Sequence, residues 1–498
     1  GGNQVAVQMG EGAGGGKGGG LRTRRRGGLP KGCYGEGGGG GGAVLRIELG
    51  ELGEDVAVAG VVAGRSMAVL GGRMHLTRLP EARVVTGDSG SEEFPSVAVL
   101  PDGEEAVAYV SWDGARDSVM LRMGEKVEAV RGSGNDALDP QCIVDGEGRL
   151  SIVWAEGDGK QWDLFGWRGG KVGRLTDGPG NDFWPRVARD AGGRVWVTWQ
   201  SVGEDRHYEV WLARLEGKAL VDRVNVSESG ADDWEPAICA TPDGRIVVVW
   251  DTYRNGSFDV YLREFAVDGD GSAKAKGGAM AIAATAAREA HATVASDRWG
   301  GVWIAWDVAC ENWGKHPGRG ASLHSERSLD LACWSGGALR RPEAGLGASL
   351  PPGFRKYSEY PQVAVDGKDR VWVIFRHQNR VAPKLLSPRG RAQSYGMWHE
   401  FAVAFDGSGW GEPLLLAHGN GRQDVRPAVD IGRDGELVVC YATDRRTRQF
   451  PYKPVDYDVT RASPAGFRRE PPAPRLAAAP GLRRGGPGDP DPAAGPSR

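Results

Sequence analysis

The chain repeats itself. NDFWPRVARDAGGRVWVTWQ, starting at Asn181, is answered fifty-one residues later by DDWEPAICATPDGRIVVVWD, starting at Asp232. Each copy then closes on an acid-led apolar strand, Tyr208-Glu209-Val210-Trp211 in one and Phe258-Asp259-Val260-Tyr261 in the other. A period of about 40–50 residues with no helical periodicity inside it constrains the fold to a stack or ring of small sheets. Within one unit, Pro185 suits the start of a strand, where no ladder donor is needed. Gly192-Gly193 supplies a turn. Val195 to Trp199 is apolar on both faces, as a sheet packed on both sides requires. Gln200 to Tyr208 is a loop, Val210 to Arg214 a third strand and Val221 to Val226 a fourth.

The unit recurs along the chain. Openings stand at Pro95, Pro140, Pro185, Pro236, Ala292 (in place of Pro), Pro361 and Pro427, spaced 45, 45, 51, 56, 69 and 66 residues apart. The second strand ends on Tyr109, Trp154, Trp199, Trp250, Trp306, Phe375 and Tyr441. Each of these lies six residues after a turn residue: Gly103, Gly148, Gly193, Gly244, Gly300, Asp369 or Gly435. This pattern predicts an all-β β-propeller of four-stranded antiparallel blades, seven in number, with six as the alternative. Strand-like pieces between Ala43 and Val85 lack the opening and are expected to supply outer strands that close the ring. The late, long spacings are assigned to loops at Cys310 to Ser328 and His377 to Tyr395.

Residues 43–462 are thus read as the propeller. The Gly-rich segment 1–42 and the Pro/Arg/Ala-rich tail 463–498 carry too few large apolar side chains to bury a core and are read as disordered. A net charge of −3 gives no sign of a nucleic-acid partner. No apolar run reaches the roughly 18 residues of a membrane span, so membrane insertion is not expected. A monomer is expected. Cys142, Cys239 and Cys440 fall on strands and read as reduced core thiols.

Strand alternation puts the loop entering strand one and the loop joining strands two and three at the same end. Acids recur there at Glu92, Asp182, Asp233, Glu289 and Asp424, and repetition at a turn position favours a structural role. A repeated aromatic is likewise more often packing, so non-repeated residues such as Arg254, Trp313, His316 and His377 are the better ligand candidates. The expected mouth is formed by these with Trp184, Trp234, Asp251, Tyr253, Tyr360 and Arg376. Aromatic faces beside charged groups suit a carbohydrate or a peptide, and Arg254 and Arg376 would favour a carboxylate. The eight His are dispersed, without metal-binding spacing, and no nucleophile elbow or phosphate loop occurs. No cofactor and no catalytic residue is assigned.

The unit P-x-V-A-x-D-x-x-G-x-V-W-V-x-W, followed by DTYRNGSFDVY, resembles TolB-type and sialidase-like propeller repeats. WDTYRNGSFDVYLREF, WDVACENWGK and SEYPQVAVDGKDRVWVIFRH further resemble, in order, a bacterial family in which an exported propeller precedes a metal-dependent phosphoesterase domain of the PHP type. The likeness spans about Glu92 to Val459. It implies a binding or interaction module, part of a larger periplasmic or extracellular protein, although no signal segment occurs in this chain. The catalytic half and its clustered histidines are missing, and so is the sialidase Asp-box. The alternative implied by the sialidase likeness is a glycoside hydrolase using carboxylates at that end of the ring.

Overall fold

A computed structural model describes residues 81–86, 91–203, 207–311, 327–379, 397–421 and 426–443, together with short strands at Asn3–Gln8, Val44–Leu49, Ala57–Val62, Arg65–Leu70, Arg73–Arg78, Asp458–Ser463 and Leu482–Arg484. The remainder of both ends, where disorder was expected, lies outside the described residues.

Six antiparallel blades are built from consecutive strands, beginning at Ser91–Val99, Asp136–Val144, Asn181–Arg189, Asp233–Ala240, Arg288–Ser296 and Ser358–Val365. A seventh sheet is composite. Ala428–Ile431, Leu437–Thr443 and Asp458–Ser463 are completed by Glu81–Val84 from the other end of the chain, with Thr460 opposite Val84. Ring closure by an early strand is therefore as expected, but only Glu81–Val84 takes part. Ala57–Val62, Arg65–Leu70 and Arg73–Arg78 pair with each other in a separate three-stranded sheet. The first strands of successive sheets are neighbours around the ring, and that of the seventh touches that of the first. They enclose a channel of about 560 Å³.

The sequence motif has a simple physical origin. Trp196 and Trp199 are three residues apart on one strand, so they face opposite sides. Trp196 packs towards blade 4 against Ile246 and Val248, and Trp199 towards blade 2 against Val153 and Leu164. Trp196 Nε1 donates to Asp190 Oδ2 at 2.9 Å, in the turn below, and Trp199 Nε1 to Asp182 Oδ1 at 3.0 Å, at the opposite end. Trp303 with Asp297 and Trp372 with Asp366 repeat the first bond, and Trp250 with Asp233 the second. The turn residue is left-handed in every unit, at φ 77° to 93° for the glycines and 60° for Asp369. Trp199 and Trp250 are buried, as their register demanded.

Most of the loop assigned to Cys310 to Ser328 lies outside the described residues. Of the loop assigned to His377 to Tyr395, the first three residues belong to the strand Val371–Asn379, and 380–395 lie outside the described residues. The wide spacing before Pro361 also has a source within the described residues. A helical turn at Leu346–Ser349 and a 3-10 turn at Pro352–Arg355 drive Leu346, Leu350 and Phe354 into the core between blades 5 and 6. Cys142, Cys239 and Cys440 are buried free thiols. No helix of the described residues is long and apolar enough to cross a membrane.

Candidate functional site

The opening proline does not start its strand. Blade 3's first strand begins at Asn181, and its register breaks between Phe183 and Arg186. Equivalent breaks occur in blades 1, 2, 4, 5 and 6. Pro185 sits in that bulge, another place where a missing donor costs nothing. The residue before it is left-handed in all six blades: Phe94, Asp139, Trp184, Glu235, His291 and Tyr360, at φ 45° to 59°. None is glycine, so each bulge stores roughly 1 kcal/mol of strain. Bulges of this kind re-aim a side chain.

Here the side chains converge on the mouth of the channel. Phe94 and Trp184, from blades 1 and 3, lie 6.4 Å apart between ring centroids. Asp139 pairs with Arg186. The equivalent residue of the seventh sheet, Arg426, reaches across to Glu235 at 2.6 Å. His291 stacks on Tyr360 at 4.0 Å and 15°, and its Nε2 lies 3.8 Å from Glu235. One flank of the mouth is aromatic and the other polar.

The polar flank is built more firmly than the rest. The residue following the second-strand aromatic of one blade can accept the strained N–H of the next. Gln200 Oε1 takes Glu235 N at 2.9 Å, Asp251 Oδ2 takes His291 N at 2.6 Å, and Asp307 Oδ2 takes Tyr360 N at 3.2 Å. The same position elsewhere is Val110, Ala155, Arg376 or Ala442, none of which has a side-chain acceptor. Among the described residues, only the bulges of Glu235, His291 and Tyr360 are pinned in this way.

His291 is oriented twice over. Its Nδ1 lies 2.5 Å from Asp307 Oδ2, and Arg288 Nη2 lies 3.2 Å from Nε2. A guanidinium can only donate, which assigns Nε2 as acceptor and Nδ1 as the protonated nitrogen. Burial holds the imidazole below its usual range, against the charges of Asp307 and Glu235. Burial opposes the charge of Asp307 too, but His291, Arg327 and Arg288 outweigh it and keep that carboxyl well below the ordinary range. Glu235 is likewise lowered against burial by His291, Arg426, Arg186 and Arg288. Burial and then Glu235 push Asp251 up to about 8 and Tyr360 up to about 12. At neutral pH the mouth thus offers a carboxylate, a guanidinium and a neutral imidazole.

The residues singled out from sequence fall into four groups. Trp184 and Tyr360 face the mouth, and Asp251 lies beneath it as a backbone pin. Trp234, Tyr253 and Arg254 gather on the adjoining rim of blades 3 and 4. Trp234 packs at 5.1 Å on Phe258, 6.0 Å from Tyr208 and 6.5 Å from Tyr253. Arg254 lies 4.1 Å over Tyr261 and donates to Thr252 and Asp233. Arg376 and His377 are held in the body of blade 6. Arg376 is 2% exposed, lies 4.4 Å from both the Tyr360 and Trp398 rings, and pairs with Glu359. His377 faces the other side of its strand, 4.5 Å from Phe354 and bonded to Ser358, and burial pushes it down to about 3. Neither Arg254 nor Arg376 is thus an open grip for a carboxylate. Trp313 and His316 lie outside the described residues. Glu235, Asp139 and Arg186 were missed, although the fixed position just before each opening proline marks the first two.

No family model matches the chain, and no curated protein does. Solved structures do. An ulvan polysaccharide lyase bound to a GlcA–Rha3S unit is 10% identical, covering 75% of this chain and 93% of its own, with a TM-score of 0.46. A TolB-type protein from Agrobacterium tumefaciens is 16% identical over 44% of this chain and 76% of its own, at 0.27. A subtype N10 neuraminidase-like protein of A/little yellow-shouldered bat/Guatemala/060/2010 is 9% identical over 59% and 94%, at 0.36. The likeness concerns the fold, which the strand order establishes on its own.

Proposed function

We propose that this chain is a propeller binding module that takes a carbohydrate at the channel mouth. The observation that carries this reading is the pinning of Glu235, His291 and Tyr360. Three adjacent strained bulges are fixed by side chains that the other four sheets lack, which is how a site is organised before its ligand arrives. Donors and acceptors stand side by side there, Arg426 with Glu235 and Arg186 with Asp139, so the mouth suits hydroxyl groups that both give and take hydrogen bonds. Phe94 and Trp184 add aromatic faces for the apolar side of a sugar ring. A peptide would draw affinity from main-chain pairing, and the bulge N–H groups that could offer it are already taken by Gln200, Asp251 and Asp307. The resemblance to propellers that accompany a phosphoesterase domain fits a module that delivers or positions a substrate.

A glycan array tests the reading. The parent chain is expected to mark a defined set of glycans, with Arg426→Ala and Glu235→Gln losing at least tenfold in signal while both still unfold in one cooperative transition above the assay temperature. A blank array, or variants that bind as the parent does, would remove it.

A second reading, turnover instead of binding alone, is favoured by the Asp307–His291 pair. An imidazole held by a carboxylate at Nδ1, beside Glu235, is suited to moving a proton. The two-carboxylate hydrolase plan is less well served, since Asp251 and Asp307 hold backbone and Glu359 holds Arg327 and Arg376. New reducing ends from an array-positive polysaccharide, lost in His291→Gln, would establish turnover; none at any pH would leave binding.

A further inference from the structure

We infer that the ligand is an oligosaccharide chain of at least two residues, running from the mouth outwards over the rim of blade 4. This rests on the carbohydrate reading of the mouth and adds a second subsite to it.

The second subsite is the aromatic cluster of Tyr208, Trp234, Tyr253 and Phe258. These rings come from three separate segments, yet Trp234 lies 5.1 to 6.5 Å from each of the other three, and Tyr253 lies 5.4 Å from Phe258. Blade packing does not account for them. Buried Trp199 and Trp250 already fill the blade cores, whereas Tyr253 is 37% exposed and the other three rings are only partly covered. Aromatic surface left open on a rigid rim marks a contact for something else.

Continuity with the mouth is covalent and electrostatic. Trp234 immediately precedes Glu235, so the same bulge that turns Glu235 into the mouth leaves Trp234 on the rim. Arg288 joins the two regions: its guanidinium lies 5.1 Å over the Phe258 ring and is bonded to Asp307 and His291. A ligand that reaches Glu235 at the mouth is therefore one residue away from the Trp234 ring on the rim. The rim also carries polar groups at its edge. Asn255 is exposed and donates to Asp259 at 2.7 Å, while the other oxygen of Asp259, fully buried, has no hydrogen-bond partner. Aromatic faces edged by amide and guanidinium groups fit a saccharide residue, whose C–H face stacks while its hydroxyls reach sideways. A single sugar in the mouth would leave this surface unused.

The test is a length series. Mono- to hexasaccharides of xylan, arabinan, cellulose and polygalacturonate would be titrated calorimetrically into the parent, Tyr253→Ala and Arg426→Ala, with melting curves alongside. In at least one series the parent is expected to bind the trimer or longer at least tenfold more tightly than the monosaccharide. Tyr253→Ala should erase that gain and keep the monosaccharide affinity, while Arg426→Ala should weaken all lengths. Because Tyr253 is exposed, its variant should melt as the parent does. Equal affinity for all lengths, or a gain that survives Tyr253→Ala, would overturn the second subsite and leave the mouth standing. Failure of all four series beside array-positive single sugars would overturn it too, whereas a blank array removes the mouth as well.

Discussion

At the scale of single residues, the bulges hold side chains in a strained backbone conformation. Trp184 is left-handed at φ 51° and only partly buried. Trp184→Gly and Trp184→Ala lose the same ring, but only glycine is relaxed there, so the glycine variant should be the more stable by about 1 kcal/mol. Chemical denaturation of the pair measures this, and an alanine variant equal to or above glycine would contradict the strain. Glu400 offers a second case. It is buried beside Arg376, and its Oε2 has no hydrogen-bond partner. Burial pushes its carboxyl up to about 8, the charge of Arg376 opposing. The folded protein keeps this proton where the unfolded chain releases it, so the contribution to stability is full below about pH 4.5 and is lost as pH rises to 8. Glu400→Gln cannot ionise. Its stability relative to the parent should therefore climb by up to about 1.4 kcal/mol per pH unit between roughly pH 5 and 8; parallel curves would contradict the assignment. Residues of this kind were only partly legible. A repeated position before each proline was visible, but choosing the bulkier neighbour Trp234 hid Glu235. Nothing in the local sequence told Arg376 and His377 apart from open loop residues, because the rings that enclose them come from distant segments.

Secondary-structure elements were far more legible, because their causes are local. Alternation and tryptophan spacing in V-W-V-x-W report two packed faces, and the turn glycine reports a left-handed φ, so strands two and three have the expected centres. Their ends run further, since Gln200 to Val202 and Tyr208, expected in a loop, pair with each other's strand although Gln200 and Ser201 are polar. The start of strand one was less clear: the proline looked like a beginning and is a bulge, since its missing donor is tolerated equally well in both. Contacts between blades also left little trace. Gly146 N donates to Gly193 O at 2.9 Å, and a Cβ on Gly146 would stand 2.6 Å from Gly193 Cα. Gly367 and Gly435 repeat this contact between blade 6 and the seventh sheet. Gly146→Ala must push two backbones apart and should cost about 1–3 kcal/mol. Gly134→Ala makes a control, since a Cβ there meets nothing within 4 Å. Its φ of 81° carries only local strain of about 1 kcal/mol. A Gly146 variant as stable as the parent would show that the two blades are not in contact there.

For the molecule as a whole, the ring explains how the channel mouth is assembled. Seven inner strands bring residues as distant as Glu235 and Arg426 within a hydrogen bond, and no segment of the chain could assemble that mouth alone. The repeat made the ring readable, whereas the mouth needed three-dimensional closure to be seen. Closure by Glu81–Val84 was foreseen in kind, but the strands just before it form their own sheet, because pairing with an adjacent neighbour costs less loop entropy than pairing across the ring. In the proposed function, the polar flank of the mouth holds the ligand. A crystal structure of the chain with an array-positive oligosaccharide tests it most directly. Sugar density is expected at the mouth, with hydroxyl oxygens within about 3 Å of Glu235, His291 or Arg426 and the Glu235–Arg426 contact opened or bridged. Density on the outer strands or at the opposite end of the channel, with Glu235 and Arg426 still joined as in the free chain, would contradict it.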